Sequence, residues 1–279
     1  MGRLAGKPVD GVPWVPFAGV HAGQLCGYTA TELLQDADKV VAALTEANRS
    51  YQPDELPVLF DLQVEAEILG CDLLWADDTL PTVRCQPLAE TKTIPSALPE
   101  KTSGRMPIAI EATMRLKESI GHETALFGLV CGPFTLASHL RGTEIFLDMM
   151  DDPNYVCDLI RYCSEVSQRV AGFYAEAGVD VLALVDPLVS QISENHFTQF
   201  LAVSLKQTFD GYRNMGLASA FFVCGDATRS IRVMCETGPD SIFVDENIDL
   251  KQAEQITDDF DISIGGNIPL SSVMLFGSQ

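Results

Sequence analysis

Positive charge is scarce in this chain. Lys and Arg total 18 of 279 residues against 39 Asp and Glu, a net charge of −21. Such a surface repels phosphate backbones and anionic membrane faces, so a nucleic-acid partner is not expected. The acidic excess is spread along the chain rather than gathered in a tail, as in a solvated surface. Long apolar runs are also missing, and none approaches a membrane span. The opening stretch Met1-Gly2-Arg3-Leu4-Ala5-Gly6-Lys7 has no apolar centre of its own, so no secretory leader is read there. There is no internal repeat and no low-complexity segment. The eight cysteines lie in apolar contexts such as Leu129-Val130-Cys131 and Phe222-Val223-Cys224. Together these features predict a cytoplasmic protein with buried, reduced thiols.

The composition is 47% hydrophobic and 20% charged, ordinary for a globular protein. Short apolar runs alternate with longer amphipathic ones, the pattern of βα units around a parallel sheet. Strands are predicted at Trp14 to Val20, Pro57 to Phe60, Ala125 to Cys131, Val179 to Val185, Ala218 to Cys224, Ser241 to Val244 and Ile262 to Ile264. Helices are predicted at about Thr31 to Asn48, Val64 to Leu69, Ile108 to Ile120, Pro153 to Ala177, Glu194 to Met215, Thr228 to Thr237 and Leu250 to Ile256. Thr29 and Glu32 have capping-box spacing, and Gly178 is a natural stop. The proline-rich stretch 71 to 107 is an excursion with a short strand near Asp72 to Trp75. The expected fold is α/β, a (β/α)8 TIM barrel in one domain over residues 1–279, with the C-terminal strand–helix unit missing. A fragment, a miscount or coverage of the gap by another chain would each account for the unfinished count.

Working residues of such barrels sit at the C-terminal ends of the strands. His21 follows the first predicted strand, and Asp61 and Glu65 the second. Cys131, Asp186, Cys224 with Asp226, Asp245 with Glu246, and Asn267 follow the others. Carboxylates, a thiol and an imidazole at one mouth suit metal binding or proton handling. Each also has a plainer reading. Asp61 can cap the helix after it, Cys131 can be core, and Asp186-Pro187 can start a turn. Cys224, before Gly225, is better placed to face a pocket. His122, His139 and His196 read as structural.

Gly132-Pro133-Phe134-Thr135-Leu136-Ala137 with Leu140-Arg141-Gly142, Ala177-Gly178-Val179-Asp180 leading to Asp186, and Gly266-Asn267 before Pro269 together resemble motifs of the uroporphyrinogen decarboxylase superfamily. The resemblance runs from Pro13 to Leu270. Its decarboxylases carry an N-terminal Arg-Gln-Ala-Gly-Arg motif whose arginines hold a tetrapyrrole's carboxylates. The matching stretch here, Phe17-Ala18-Gly19-Val20-His21-Ala22-Gly23, has no arginine, although Asp61 matches their pocket aspartate. The segment Asp61 to Gly70 looks like that of the corrinoid-dependent methyltransferases of the methylcobalamin:coenzyme M type.

The resemblance implies methyl transfer between a corrinoid protein and a small acceptor such as a thiol. Asp61 and Asp186 would be catalytic, and His21, Glu65, Asp226 and Asn267 would bind substrate. Zinc in those enzymes activates the thiol through a His-x-Cys pair, a later Cys and in some members a Glu. The corresponding residues here are Phe222, Cys224 and Glu246, and the position of the late cysteine would fall beyond Gln279, so zinc is expected only if a residue such as His21 or Asp226 substitutes. The alternatives are uroporphyrinogen decarboxylation around Asp61, and a non-catalytic barrel that binds a corrinoid or a partner chain. Homodimerisation is a family expectation.

Overall fold

The computed structural model describes residues 11–269 together with 272, 273, 276 and 277. The opening Met1 to Lys7, read above as no leader, and Ser278 and Gln279 lie outside the described residues.

Helices α1 (Gly19–Leu25), α2 (Ala30–Leu34) and α3 (Ala37–Tyr51) precede strand β1 (Glu55–Pro57). Helix α4 (Val64–Ile68), the hairpin β2 (Asp72–Leu74) and β3 (Thr82–Cys85), and α5 (Met106–Ser119) follow. Then come β4 (Ala125–Cys131), α6 (Pro133–Arg141), α7 (Ile145–Asp151), α8 (Pro153–Ala177) and β5 (Val181–Val185). Helix α9 (Glu194–His196) runs through a π-turn at Phe197–Leu201 into α10 (Ala202–Asn214). Strand β6 (Ala218–Val223), α11 (Ile231–Cys235), β7 (Ser241–Val244), α12 (Leu250–Thr257) and β8 (Ser263–Gly265) complete the order.

Six strands form one parallel sheet, in the order β1-β4-β5-β6-β7-β8. It curls without closing among the described residues, an open (β/α) barrel flanked by helices. The strands read apolar on both faces because both are covered. Leu126, Val130, Leu182, Leu184, Phe221 and Ile242 join the core beneath the helices. Their alternates Phe127, Leu129, Val181, Ala183, Val185 and Ala220 form a second cluster on the concave face. This period of two is the strand pleat.

Helix α8 shows how local signals set an element. Asp152 accepts from Tyr155 N at 3.3 Å, Pro153 opens the helix, and Gly178 at φ 97° ends it. Its close approach to the sheet depends on Gly128 in β4, where a Cβ would stand 2.7 Å from the Tyr174 side chain.

The first predicted strand is absent. Residues 12–18 have no regular structure and pair in no sheet, and Val20 already belongs to α1. Pro13 and Pro16 have no N–H to give a ladder. Instead Val15 and Phe17, two residues apart, pack on the concave apolar cluster. The segment is tied by paired bonds between Trp14 and Asp54, at 2.7 and 3.0 Å. The short strand near Asp72 is present, with an antiparallel partner, β3, not expected from the sequence. All eight cysteines are free; Cys224 is exposed, and Cys85 is exposed against the general expectation of burial.

Candidate active site

Because the sheet is parallel, its strand C-termini share one edge. Loops there are joined by side chains that the sequence had marked as site residues. Glu65, buried on α4 after β1, accepts from Cys131 N at the end of β4 at 2.9 Å. Asp186, fully buried after β5, accepts from Phe134 N at 3.0 Å, Thr135 N at 2.8 Å and Thr135 Oγ1 at 2.6 Å. It thereby takes up free donors at the N-terminus of α6. Gly132 leaves the space, since a Cβ there would lie 2.3 Å from Asp186 Cβ. Asp245, after β7, accepts from Gly225 N in the loop after β6. Asn267, after β8, donates through Nδ2 to the carbonyls of Asp245 at 3.0 Å and Ile248 at 2.5 Å.

Asp61 anchors the β1 end. Its Oδ2 accepts from Arg105 Nη1 at 2.6 Å and its Oδ1 from Gln63 N at 2.9 Å. Arg105 Nε donates to Glu67 Oε2 at 2.6 Å, and Trp75 from the hairpin lies 4.9 Å over the guanidinium. Arg105 Nη2 is buried with no hydrogen-bond partner. Burial raises the Asp61 carboxyl above its ordinary range, against the pull of Arg105. Burial likewise lifts Glu65 to about 7 and Asp186 to about 6. The Cys224 thiol is raised by desolvation and by Asp245, so it is not an activated thiolate.

The structure thus brings Asp61, Glu65, Cys131 and Asp186 into one buried edge and places Cys224 and Glu246 exposed beside it. Asp226 turns back on its own loop, accepting from Thr228 N and Oγ1 at 3.1 and 2.6 Å. His21 is corrected in place. With no first strand to follow, it sits exposed on α1, bonded to the Tyr51 hydroxyl at 2.6 Å. Arg105, Glu67 and Trp75 were missed. One signal existed: Arg105 stands at the N-terminus of α5, where the helix dipole disfavours a cation.

Zinc does not fit this donor set. Among the described residues no group of three or more His, Cys, Asp or Glu could hold a metal. The position of the family's histidine is taken by Phe222, which stacks on Phe243 at 4.3 Å and packs edge-on to Phe17 at 4.8 Å. No histidine replaces it. His21 is committed to Tyr51, and His139 is half-buried on α6 with its charged form disfavoured by desolvation.

The open parallel barrel with acids along its C-terminal edge belongs to a known class of fold. The profile of the uroporphyrinogen decarboxylase (URO-D) family matches residues 1–279, and the chain belongs to this family. It is 29% identical over 258 residues to the methylcobamide:CoM methyltransferase MtbA of Methanosarcina acetivorans, covering 90% of this chain and 76% of that protein. It is 27% identical over 272 residues to MtaA, a methylcobamide:CoM methyltransferase of Methanosarcina barkeri, covering 89% and 75%. A uroporphyrinogen decarboxylase of Carboxydothermus hydrogenoformans is 23% identical over 261 residues, covering 90% and 73%. Among solved structures, a methyltransferase from Methanosarcina mazei superposes with a TM-score of 0.90 at 23% identity, over 99% of this chain and 84% of that one. Among the described residues no helix is long and apolar enough to cross a membrane.

Proposed function

We propose that the chain is a methyltransferase that moves a methyl group between a corrinoid, carried by a partner protein, and a small acceptor such as a thiol. The observation that carries this is the buried Asp61–Arg105 pair. The buried cation at this edge is already held by two carboxylates, which suits a small acceptor and not a polyanionic tetrapyrrole. The methyltransferases MtbA and MtaA, at 27–29% identity, support the same reading.

In the direction of thiol methylation, the acceptor gives up its S–H proton to a base. The sulfur pair then forms the S–C bond, and the carbon–cobalt pair stays with the corrinoid, the methyl-donor substrate. Glu65, at about 7, is divided between its acid and base forms near neutrality, which fits a proton acceptor. Asp61, set by Gln63 N and Arg105, faces the acceptor. Asp186 is a positioning residue, since each of its bonds holds the start of α6. Cys224 lines the mouth as a protonated thiol. Asp226, Glu246 and Asn267 shape the loops around the acceptor. No step is routed through zinc.

The test is demethylation of methylcobalamin by purified protein in the presence of a thiol, with uroporphyrinogen conversion assayed in parallel. Asp61→Asn is expected to lower the rate about a hundredfold, in the range lost with one positioned polar group. Decarboxylation without demethylation would reverse the assignment within the family.

A further inference from the structure

The Asp61–Arg105–Glu67 cluster also says what kind of acceptor it takes. Arg105 is 5% exposed, and its side chain spends Nη1 on Asp61 and Nε on Glu67. The third nitrogen, Nη2, is buried and makes no hydrogen bond. A buried N–H without an acceptor is costly, so an oxygen brought to it is favoured. The charge around it is already spent. One guanidinium faces two carboxylates, leaving no positive surplus, and Glu65 stands two residues before Glu67 on the same short helix. An anion there would meet repulsion with little solvent to screen it. Trp75, half-buried, covers the guanidinium at 4.9 Å.

We propose that the acceptor docks on Arg105 Nη2 through an uncharged oxygen, that of an amide, carbonyl or hydroxyl group, and that Asp61 and Glu67 exclude acceptors carrying an anion in its place. This rests on the methyltransferase reading for the word acceptor, but the binding preference is a property of the cluster alone. The acceptor is thus neutral, whereas MtbA and MtaA are methylcobamide:CoM methyltransferases.

An isosteric pair tests it: 3-(methylthio)propionamide and 3-(methylthio)propionate, the methylated forms of two thiols that differ only in an amide against a carboxylate. Binding to the full chain is measured by ligand-observed NMR titration. The amide is expected to bind at least about tenfold more tightly, the scale of one charge-discriminating contact. Glu67→Gln keeps an oxygen for Arg105 Nε and removes one negative charge, so the gap should narrow through tighter carboxylate binding. Arg105→Lys should remove the amide preference, and Glu67→Gln decides the matter if that variant does not fold. Equal or tighter carboxylate binding, or no binding of either compound, overturns the proposal. If the amide binds first but neither parent thiol is methylated from methylcobalamin, the charge filter stands and the methyltransferase reading falls.

Discussion

Glu65 carries a pH signature that its partner makes testable. Its carboxyl is raised from 4.5 to about 7 by burial, opposed by its bond from Cys131 N. The folded state therefore holds this proton more firmly than the unfolded chain. That advantage is complete below the unfolded value and is lost as pH rises through the folded one, a change of roughly 3 kcal/mol. Glu65→Gln keeps an acceptor for Cys131 N and should remove this decline. Urea unfolding of both proteins at about pH 5 and about pH 8 checks it, and a stability difference independent of pH would refute the assignment. Asp186 is the second residue-scale case. Asp186→Ala strips three buried donors of their acceptor. It should cost about 3 kcal/mol or more, read as a lower urea midpoint, and a loss under about 1 kcal/mol would deny the tie. Asp61, Glu65 and Asp186 were legible because each follows an apolar run at the edge where the fold gathers its polar groups. Arg105 was not, because its partner Asp61 is 44 residues away and no local pattern joins them.

At the scale of elements, boundaries were clear where chemistry marks them. Strand β4 and helix α8 begin and end where the apolar run, Pro153 and Gly178 place them. The apolar run alone misled at residues 14–20, because it is satisfied equally by a strand and by an irregular segment lying on an apolar face. Pro13 and Pro16, which have no N–H to give a ladder, favour the second. Phe17→Ala, which removes ring contacts to Phe60 at 5.5 Å and Phe222 at 4.8 Å, should cost about 2 kcal/mol and open the concave face to a hydrophobic dye. No change in dye binding would mean the segment does not shield that face. The joint between β5 and α6 is tighter still. Gly132→Ala puts a methyl 2.3 Å from Asp186 Cβ, so backbone must shift, at about 1–3 kcal/mol and a melting point lower by several degrees.

For the whole molecule, the parallel order of the six strands is what turns scattered acids into one site. A net charge of −21 surrounds it, and the buried cation Arg105 is enclosed between Asp61 and Glu67. Both features disfavour a substrate with many carboxylates. The aromatic stack of Phe222 on Phe243 stands where the family resemblance implied a zinc ligand, which is why the methyl transfer proposed above assigns thiol activation to the carboxylates of this edge. The most direct test is single-turnover transfer of a deuterated methyl group from methylcobalamin to 3-mercaptopropionamide, read by mass spectrometry. The protein should produce labelled thioether well above the protein-free rate, with Glu65→Gln at least about tenfold slower near neutral pH. Label transfer no faster than without protein would contradict the methyltransferase assignment.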